Sequence, residues 1–359
     1  MSLSVGIVGL PNVGKSTLFN ALTKSAVLAA NYPFATIEPN VGIVSVPDER
    51  LARLAELYPT AKIVPAPVTF VDIAGLVRGA SEGQGLGNKF LANIRECNAI
   101  CQVVRAFEDS NVQHVDNQLD PKADIETINT ELILADLVTV DSRLGKVTGE
   151  MKANPKVAPL ANLLQKVKTG LDEGKLAGSF LDSEELAEIK DLQLLTAKPF
   201  IIVFNIAENQ LGDEDLKKKL GTIVNPAPTV FLCAKTEAEL IELPEADAQE
   251  LLGSLGQNES GLDQLAQAGF RALGLQTFLT AGPKEVRAWT IDAGDTAPQA
   301  AGVIHTDFEK GFIKAEVVNF NDLIAAGSVN EARSKGKLRL EGRDYAMHDG
   351  DVVEFRFNV

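Results

Sequence analysis

Gly9-Leu10-Pro11-Asn12-Val13-Gly14-Lys15-Ser16-Thr17 decides how the rest of the chain is read. It satisfies the phosphate-loop pattern G-x-x-x-x-G-K-[ST] at every fixed position. Residues 3–8 before it form an apolar run suited to a buried parallel strand, and residues 16–24 read as a helix. A turn of this kind aims successive backbone N–H groups, and the positive end of the helix dipole, at an anion. Asn12, Val13, Gly14, Lys15, Ser16 and Thr17 are therefore expected to cradle a nucleoside triphosphate. Lys15 would reach the outer phosphates, and the Ser16 hydroxyl would ligate Mg²⁺. Asn12 can also lend an oxygen to a monovalent cation such as K⁺ beside the phosphates.

Working outward, apolar runs of strand length recur at residues 42–46, 68–71, 99–104, 200–204 and 229–232, separated by helical or Gly-rich segments. That alternation predicts an α/β domain with a mainly parallel sheet and crossover helices. Between Phe107 and Lys198 the spacing breaks and the pattern turns helical. Residues 124–147 place Ile125, Ile128, Leu132, Ala135, Leu137 and Leu144 near one stripe. Residues 156–171 and 183–195 carry similar stripes, with breaks at Asn154-Pro155 and between Gly174 and Gly178. An inserted helical hairpin over residues 122–196 is the reading taken here, with ordinary surface helices as the alternative. Short alternating runs at 285–291 and 352–357, around a helix near 321–326, predict a small α+β domain over residues 277–359. The nucleotide domain is then 1–121 with 197–276.

The chain has 359 residues, 45% of them apolar and 23% charged, which suits a globular protein of two or three domains. No apolar run is long enough to span a membrane, and the first residues lack the regions of a signal peptide. Cys97, Cys101 and Cys233 have neither zinc-site nor disulfide-framework spacing, which fits a reducing cytoplasm. A net charge of −15 argues against a surface that grips nucleic acid all over. A local patch stays open: Arg333, Lys335, Lys337, Arg339 and Arg343 form either a solvated strand face or a binding surface.

Asp72 ends an apolar run and opens Asp72-Ile73-Ala74-Gly75. A carboxylate at the carboxyl end of a strand beside a phosphate loop holds Mg²⁺ through water, and the Gly75 N–H can meet a γ-phosphate. Thr36, between the first helix and the next strand, is placed to complete the Mg²⁺ shell. Gly79, Gly83, Gly85 and Gly87 follow, the composition of a loop that a ligand must order. Leu76 stands where Ras-type enzymes have a water-orienting Gln, so that task must fall elsewhere. His114, on the loop after the 99–104 run, is one candidate, although its spacing alone favours a solvated histidine.

Base recognition is expected after the 200–204 run. GTPases place Asn-Lys-x-Asp there, whereas this chain has Asn205-Ile206-Ala207-Glu208. The lysine that packs along the base is gone, and the carboxylate is one methylene longer. Asn205, with a donor and an acceptor, can serve adenine N6 and N7, so ATP becomes the better partner and guanine selectivity weakens. Cys233-Ala234-Lys235 ends the next strand where a Ser-Ala-Lys loop would back the base.

Together, residues 9–17, Thr36, 72–75, the Gly-rich 76–88, 205–208 and 233–235 resemble the Obg family of P-loop proteins, most closely its Obg-like ATPase (YchF) subfamily. The resemblance runs the length of the chain. It implies a G domain, a coiled-coil arm in place of 122–196, and a C-terminal TGS domain of β-grasp fold. The tail segment His305-Thr306-Asp307-Phe308-Glu309-Lys310-Gly311-Phe312-Ile313 matches that last domain. It further implies slow hydrolysis of ATP to ADP and phosphate with Mg²⁺, a hydrolytic role for His114, and binding to the ribosome through its large subunit. The expected protein is a cytoplasmic ATPase switch. A GTPase or dual hydrolase, and an RNA- or ribosome-binding adaptor with a mainly structural nucleotide, are the rival readings.

Overall fold

The computed structural model describes residues 3–28, 40–58, 62–73, 86–108, 119–151 and 153–358. Its strands are β1 Ser4–Gly9, β2 Val41–Ser45, β3 Ile63–Val64, β4 Pro67–Asp72, β5 Ala99–Arg105, β6 Phe200–Asn205, β7 Thr229–Leu232, β8 Leu275–Ala281, β9 Val286–Asp292, β10 Phe312–Asn319, β11 Arg339–Glu341 and β12 Asp351–Phe357. They fall into two compact units, one within Met1–Ser25, Ile37–Gly42 and Thr69–Leu265, the other within Ala26–Thr36, Ile43–Val68 and Ala266–Val359.

The first sheet has the order β2-β4-β1-β5-β6-β7. The β4-β1, β1-β5, β5-β6 and β6-β7 pairs are all parallel, as the alternation of apolar runs and helices requires. All of β5 and nearly all of β1 and β6 are buried, which explains why those segments are continuously apolar. The chain reverses direction of winding at β1, since β4 lies on one side of it and β5 on the other. In open parallel sheets ligands bind at such a switch point, beyond the carboxyl ends of the strands. The phosphate loop, Asp72, Phe107, Asn205 and Cys233 all follow or end strands at that edge.

The helix Pro121–Met151 has 31 residues and is about 45 Å long. It carries two apolar stripes where the sequence reading drew one. Ile125, Ile128, Leu132 and Ala135 are buried, and Ile125 packs with Val104, Phe204 and Ile206 of the sheet. Ile133, Val140 and Val147, with Leu137 and Leu144 between them, pack on Ala161, Leu164, Val167 and Leu171 of the helix Ala158–Asp172. Steps alternating between four and three residues are those of a coiled-coil seam. The third expected helix shortens to Ser183–Glu188, followed by 3₁₀ turns at Lys190–Leu192 and Leu195–Ala197, with Gln193 left-handed between them. A buried carboxylate closes the arm: Asp136 accepts the Leu195 N–H (2.9 Å), the Thr196 N–H (2.8 Å) and the Thr196 hydroxyl (2.7 Å). Burial raises its pKa, and those donors oppose the rise.

The second sheet has the order β11-β10-β12-β8-β9-β3. The β8-β9 hairpin is antiparallel, β12 lies parallel to β8, and the helix Ala297–Ile304 packs through Ala297, Ala300 and Ala301 against Phe278, Ala315 and Phe355. This is the β-grasp arrangement. Residues 43–68 belong with it by packing, for two visible reasons. β3 pairs with β9 at Ile63↔Val286, and Arg50 bridges Asp48, Asp349 (2.7 Å) and the Thr277 hydroxyl (2.9 Å). In the basic cluster, Arg333 pairs with Glu316 (2.9 Å), Lys337 with Asp322 (3.1 Å), and Arg339 with Glu341 and Asp351 (3.5 Å each). Only Arg339 of this cluster lies on a strand, and Arg333 sits in the helix Val329–Ser334, so the cluster does not form one strand face.

Candidate nucleotide site

The site starts at the turn between β1 and the helix Lys15–Leu28. Gly14 there has φ +92°, and a Cβ would stand 2.2 Å from the Asn205 side-chain nitrogen, so only glycine fits. Asn12 is also left-handed, at φ 63°, a conformation asparagine tolerates. Leu10 to Thr17, except Val13, line a cavity of about 480 Å³. Val13 instead turns inward and is buried. Lys15 is 9% exposed, and its ammonium pairs with the Asp72 carboxylate at the end of β4. The β1–β4 register that sets Ile7 opposite Asp72 makes the meeting possible. Ser16 and Thr17 stay exposed in the first helical turn and line that cavity.

A second cavity, of about 550 Å³, shares Asn12, Gly14 and Thr17 with the first and continues over Phe107, Asn205–Glu208 and Cys233–Lys235. The structure thus brings the expected phosphate and base segments together. Asn205 is 4% exposed and used at both ends. Its Nδ2 donates to the Val13 carbonyl (2.9 Å), and its Oδ1 accepts the Ala234 N–H (3.0 Å). The side chain therefore staples the phosphate loop to the base loop and retains one proton and one lone pair for other work. Ile206 is buried, and its N–H bonds the Leu232 carbonyl (2.9 Å). Glu208 is exposed at the rim and accepts the Thr236 hydroxyl at 3.1 Å. Lys235 is well exposed, 3.8 Å from Glu239.

Two features escaped the sequence reading. Phe107 lines the base cavity, with the Arg105 guanidinium 4.6 Å over its ring and Arg105 Nε donating to its carbonyl (3.1 Å). An aromatic residue just past a strand's carboxyl end was the available signal. The other is Glu237, which is 3% exposed. It accepts the Gly261 N–H (2.8 Å) and Leu262 N–H (3.2 Å), and so caps the helix Gly261–Ala272 from the turn that carries Ala234. Burial pushes its carboxyl up to about 7, against those two bonds. Thr36, Gly75, Leu76 and His114 lie outside the described residues. Among the described residues no three His, Cys, Asp or Glu side chains cluster as a metal cage. No helix among the described residues is long and apolar enough to cross a membrane.

Residues 4–136 match a family model described as 50S ribosome-binding GTPase, and residues 275–358 match the YchF-GTPase C-terminal model, described as a protein of unknown function (DUF933). The chain is 50% identical over 366 residues to the Ribosome-binding ATPase YchF of Bacillus subtilis (strain 168), with all of both chains covered. It is 48% identical over 371 residues to the Ribosome-binding ATPase YchF of Escherichia coli O157:H7, again over the full length of both. Its structure is similar to that of the Schizosaccharomyces pombe YchF GTPase, with a TM-score of 0.88, 39% identity, and 99% of this chain and 97% of that one covered.

Proposed function

The chain belongs to the YchF family, and from that premise we propose that it is a ribosome-associated switch that hydrolyses ATP to ADP and phosphate with Mg²⁺ in the cytoplasm. One observation carries the nucleotide half of this reading. The Asn205 amide ties the phosphate loop to the base loop across two adjoining cavities, an arrangement in which one ligand with a triphosphate and a base can span both. The ribosome half rests on the relatives' names and on the description of the model matching residues 4–136, which favours the large subunit. The family names differ over the base, ATPase in the bacterial relatives and GTPase in the yeast structure. Asn205-Ile206-Ala207-Glu208 favours ATP, because it lacks the lysine and the shorter carboxylate of a guanine reader.

The chain's own groups divide the work. Backbone N–H groups of residues 12–17 and the Lys15 ammonium hold the phosphates and stabilise the charge that develops on the outer one. The Lys15 ammonium and the Asp72 carboxylate hold each other until a phosphate competes for the ammonium. Ser16 and Thr36 would ligate Mg²⁺, with Asp72 holding one of its waters; the hard oxygen donors of Ser16 and Asp72 at this edge fit that ion. When bound, Mg²⁺ neutralises phosphate charge. Gly75 would meet the γ-phosphate, His114 would orient the attacking water that Leu76 cannot, and Asn12 could assist a K⁺ ion. The G domain is taken as 1–121 and 197–276, the arm as 122–196 and the TGS domain as 277–359, although residues 43–68 pack in one compact unit with the last of these.

Competition of ATP and GTP for a fluorescent ADP analogue, together with phosphate release, tests the enzyme. A clear GTP preference would overturn the ATP assignment. Ribosome co-sedimentation of wild type and Lys15→Ala, with and without ATP, tests the switch. Binding indifferent to both changes would instead mark an adaptor.

A further inference from the structure

Glu208 lines the base cavity from the start of the 3₁₀ turn Glu208–Gln210. A glutamate has three rotatable bonds and can ordinarily turn either or both oxygens toward a ligand. Here one of the two oxygens is already engaged. The Thr236 hydroxyl, on a side chain 1% exposed, donates to Glu208 Oε2 at 3.1 Å. Thr236 lies in the first turn of the helix Ala234–Leu240, whose Ala234 N–H already holds the Asn205 oxygen at 3.0 Å. Both polar side chains of the base motif are thus tied to one helical turn. Glu237, the next residue, anchors that turn from behind through the Gly261 and Leu262 N–H groups. The anchor is close because Gly261 has no Cβ: one would stand 2.4 Å from the Leu232 Cβ.

We propose that Thr236 is a positioning residue that sets base selectivity, holding Oε2 of Glu208 so that the carboxylate offers Oε1 to a single exocyclic amino group. Adenine presents one such donor, N6. Guanine presents N1–H and N2–H₂ side by side and is best met by both oxygens of a carboxylate facing it together. With one lone pair of Oε2 taken by the Thr236 hydroxyl and the carboxylate plane set by that bond, the paired geometry is disfavoured while a single bond from Oε1 remains. This inference rests on the ATP reading of the site and assigns its selectivity to a residue outside the base motif.

The test is the ratio of ATP to GTP affinity, read by competition against a fluorescent ADP analogue. Wild type is compared with Thr236→Val, Thr236→Ser, Glu208→Ala and the Thr236→Val/Glu208→Ala pair. Thr236→Ala replaces the Val variant should that one not fold. Losing one charge-assisted hydrogen bond should narrow the ratio at least about tenfold in Thr236→Val. Thr236→Ser should restore it, and Thr236→Val should add nothing to Glu208→Ala. A wild type that prefers ATP alongside a Thr236→Val variant with the same ratio would refute the positioning role alone. Equal weakening of both nucleotides would refute it too, by marking Thr236 as structural. A wild type with no ATP preference would overturn the ATP reading and this proposal with it.

Discussion

Replacing Glu237 with Gln should flatten the pH dependence of stability between about pH 4.5 and pH 7. In the folded protein burial carries this carboxyl from its ordinary 4.5 up to about 7, and the Gly261 and Leu262 N–H groups only partly oppose that rise. Nearby Asp263 adds a smaller push in the same direction. The folded state therefore holds a proton in a range where the unfolded chain has released it. Stability from this group is complete below 4.5 and is lost as the pH rises through 7. The displacement corresponds to about 3 kcal/mol. Urea denaturation of wild type and Glu237→Gln at a series of pH values isolates it, because other titrating groups cancel in the difference. Gln also turns an NH₂ toward one of the two N–H donors, which adds an offset of about 1–3 kcal/mol that does not vary with pH. The wild-type advantage should shrink by about 3 kcal/mol from pH 4.5 to 7.5. Parallel curves for the two proteins would refute the reasoning, since they would mean that Glu237 titrates alike in both states.

Other substitutions probe the cradle, the arm and the sheet. Gly14→Ala forces a side chain into a left-handed φ and against the Asn205 nitrogen, so nucleotide affinity should fall at least about tenfold in a direct titration. Normal affinity would mean that the loop has another conformation. Asp136→Ala orphans two backbone N–H groups at the arm's closure and should cost about 2–4 kcal/mol in urea denaturation, where a change within error would show the arm to be held otherwise. Gln102 on β5 is fully buried, and neither of its amide atoms has a partner among the described residues. Gln102→Leu should raise stability by about 1–3 kcal/mol, and a loss would reveal a bound water satisfying the amide.

Local patterns were enough for much of this protein. The phosphate loop could be read because its chemistry needs fixed residue types at fixed spacing within one strand-turn-helix. The parallel strands could be read because burial on both faces demands unbroken apolar runs, as β5 and β6 show. The change from Asn-Lys-x-Asp to Asn205-Ile206-Ala207-Glu208 was visible for the same reason, as a local departure from a local motif. What depends on distant partners was not legible. The pairing of Lys15 with Asp72, the two uses of Asn205 and the grip of Thr236 on Glu208 follow from strand order and register. The two stripes of Pro121–Met151 look like one stripe until the sheet and the second helix claim separate faces. Residues 43–68 read as part of the nucleotide sheet's alternation, and only the β3–β9 pairing and the Arg50 bridges tie them to the second unit. Sequence determines which groups are present and which local turns they prefer. Long-range packing decides which of those groups meet, because hydrogen bonds and ion pairs act over a few ångströms whatever the separation along the chain.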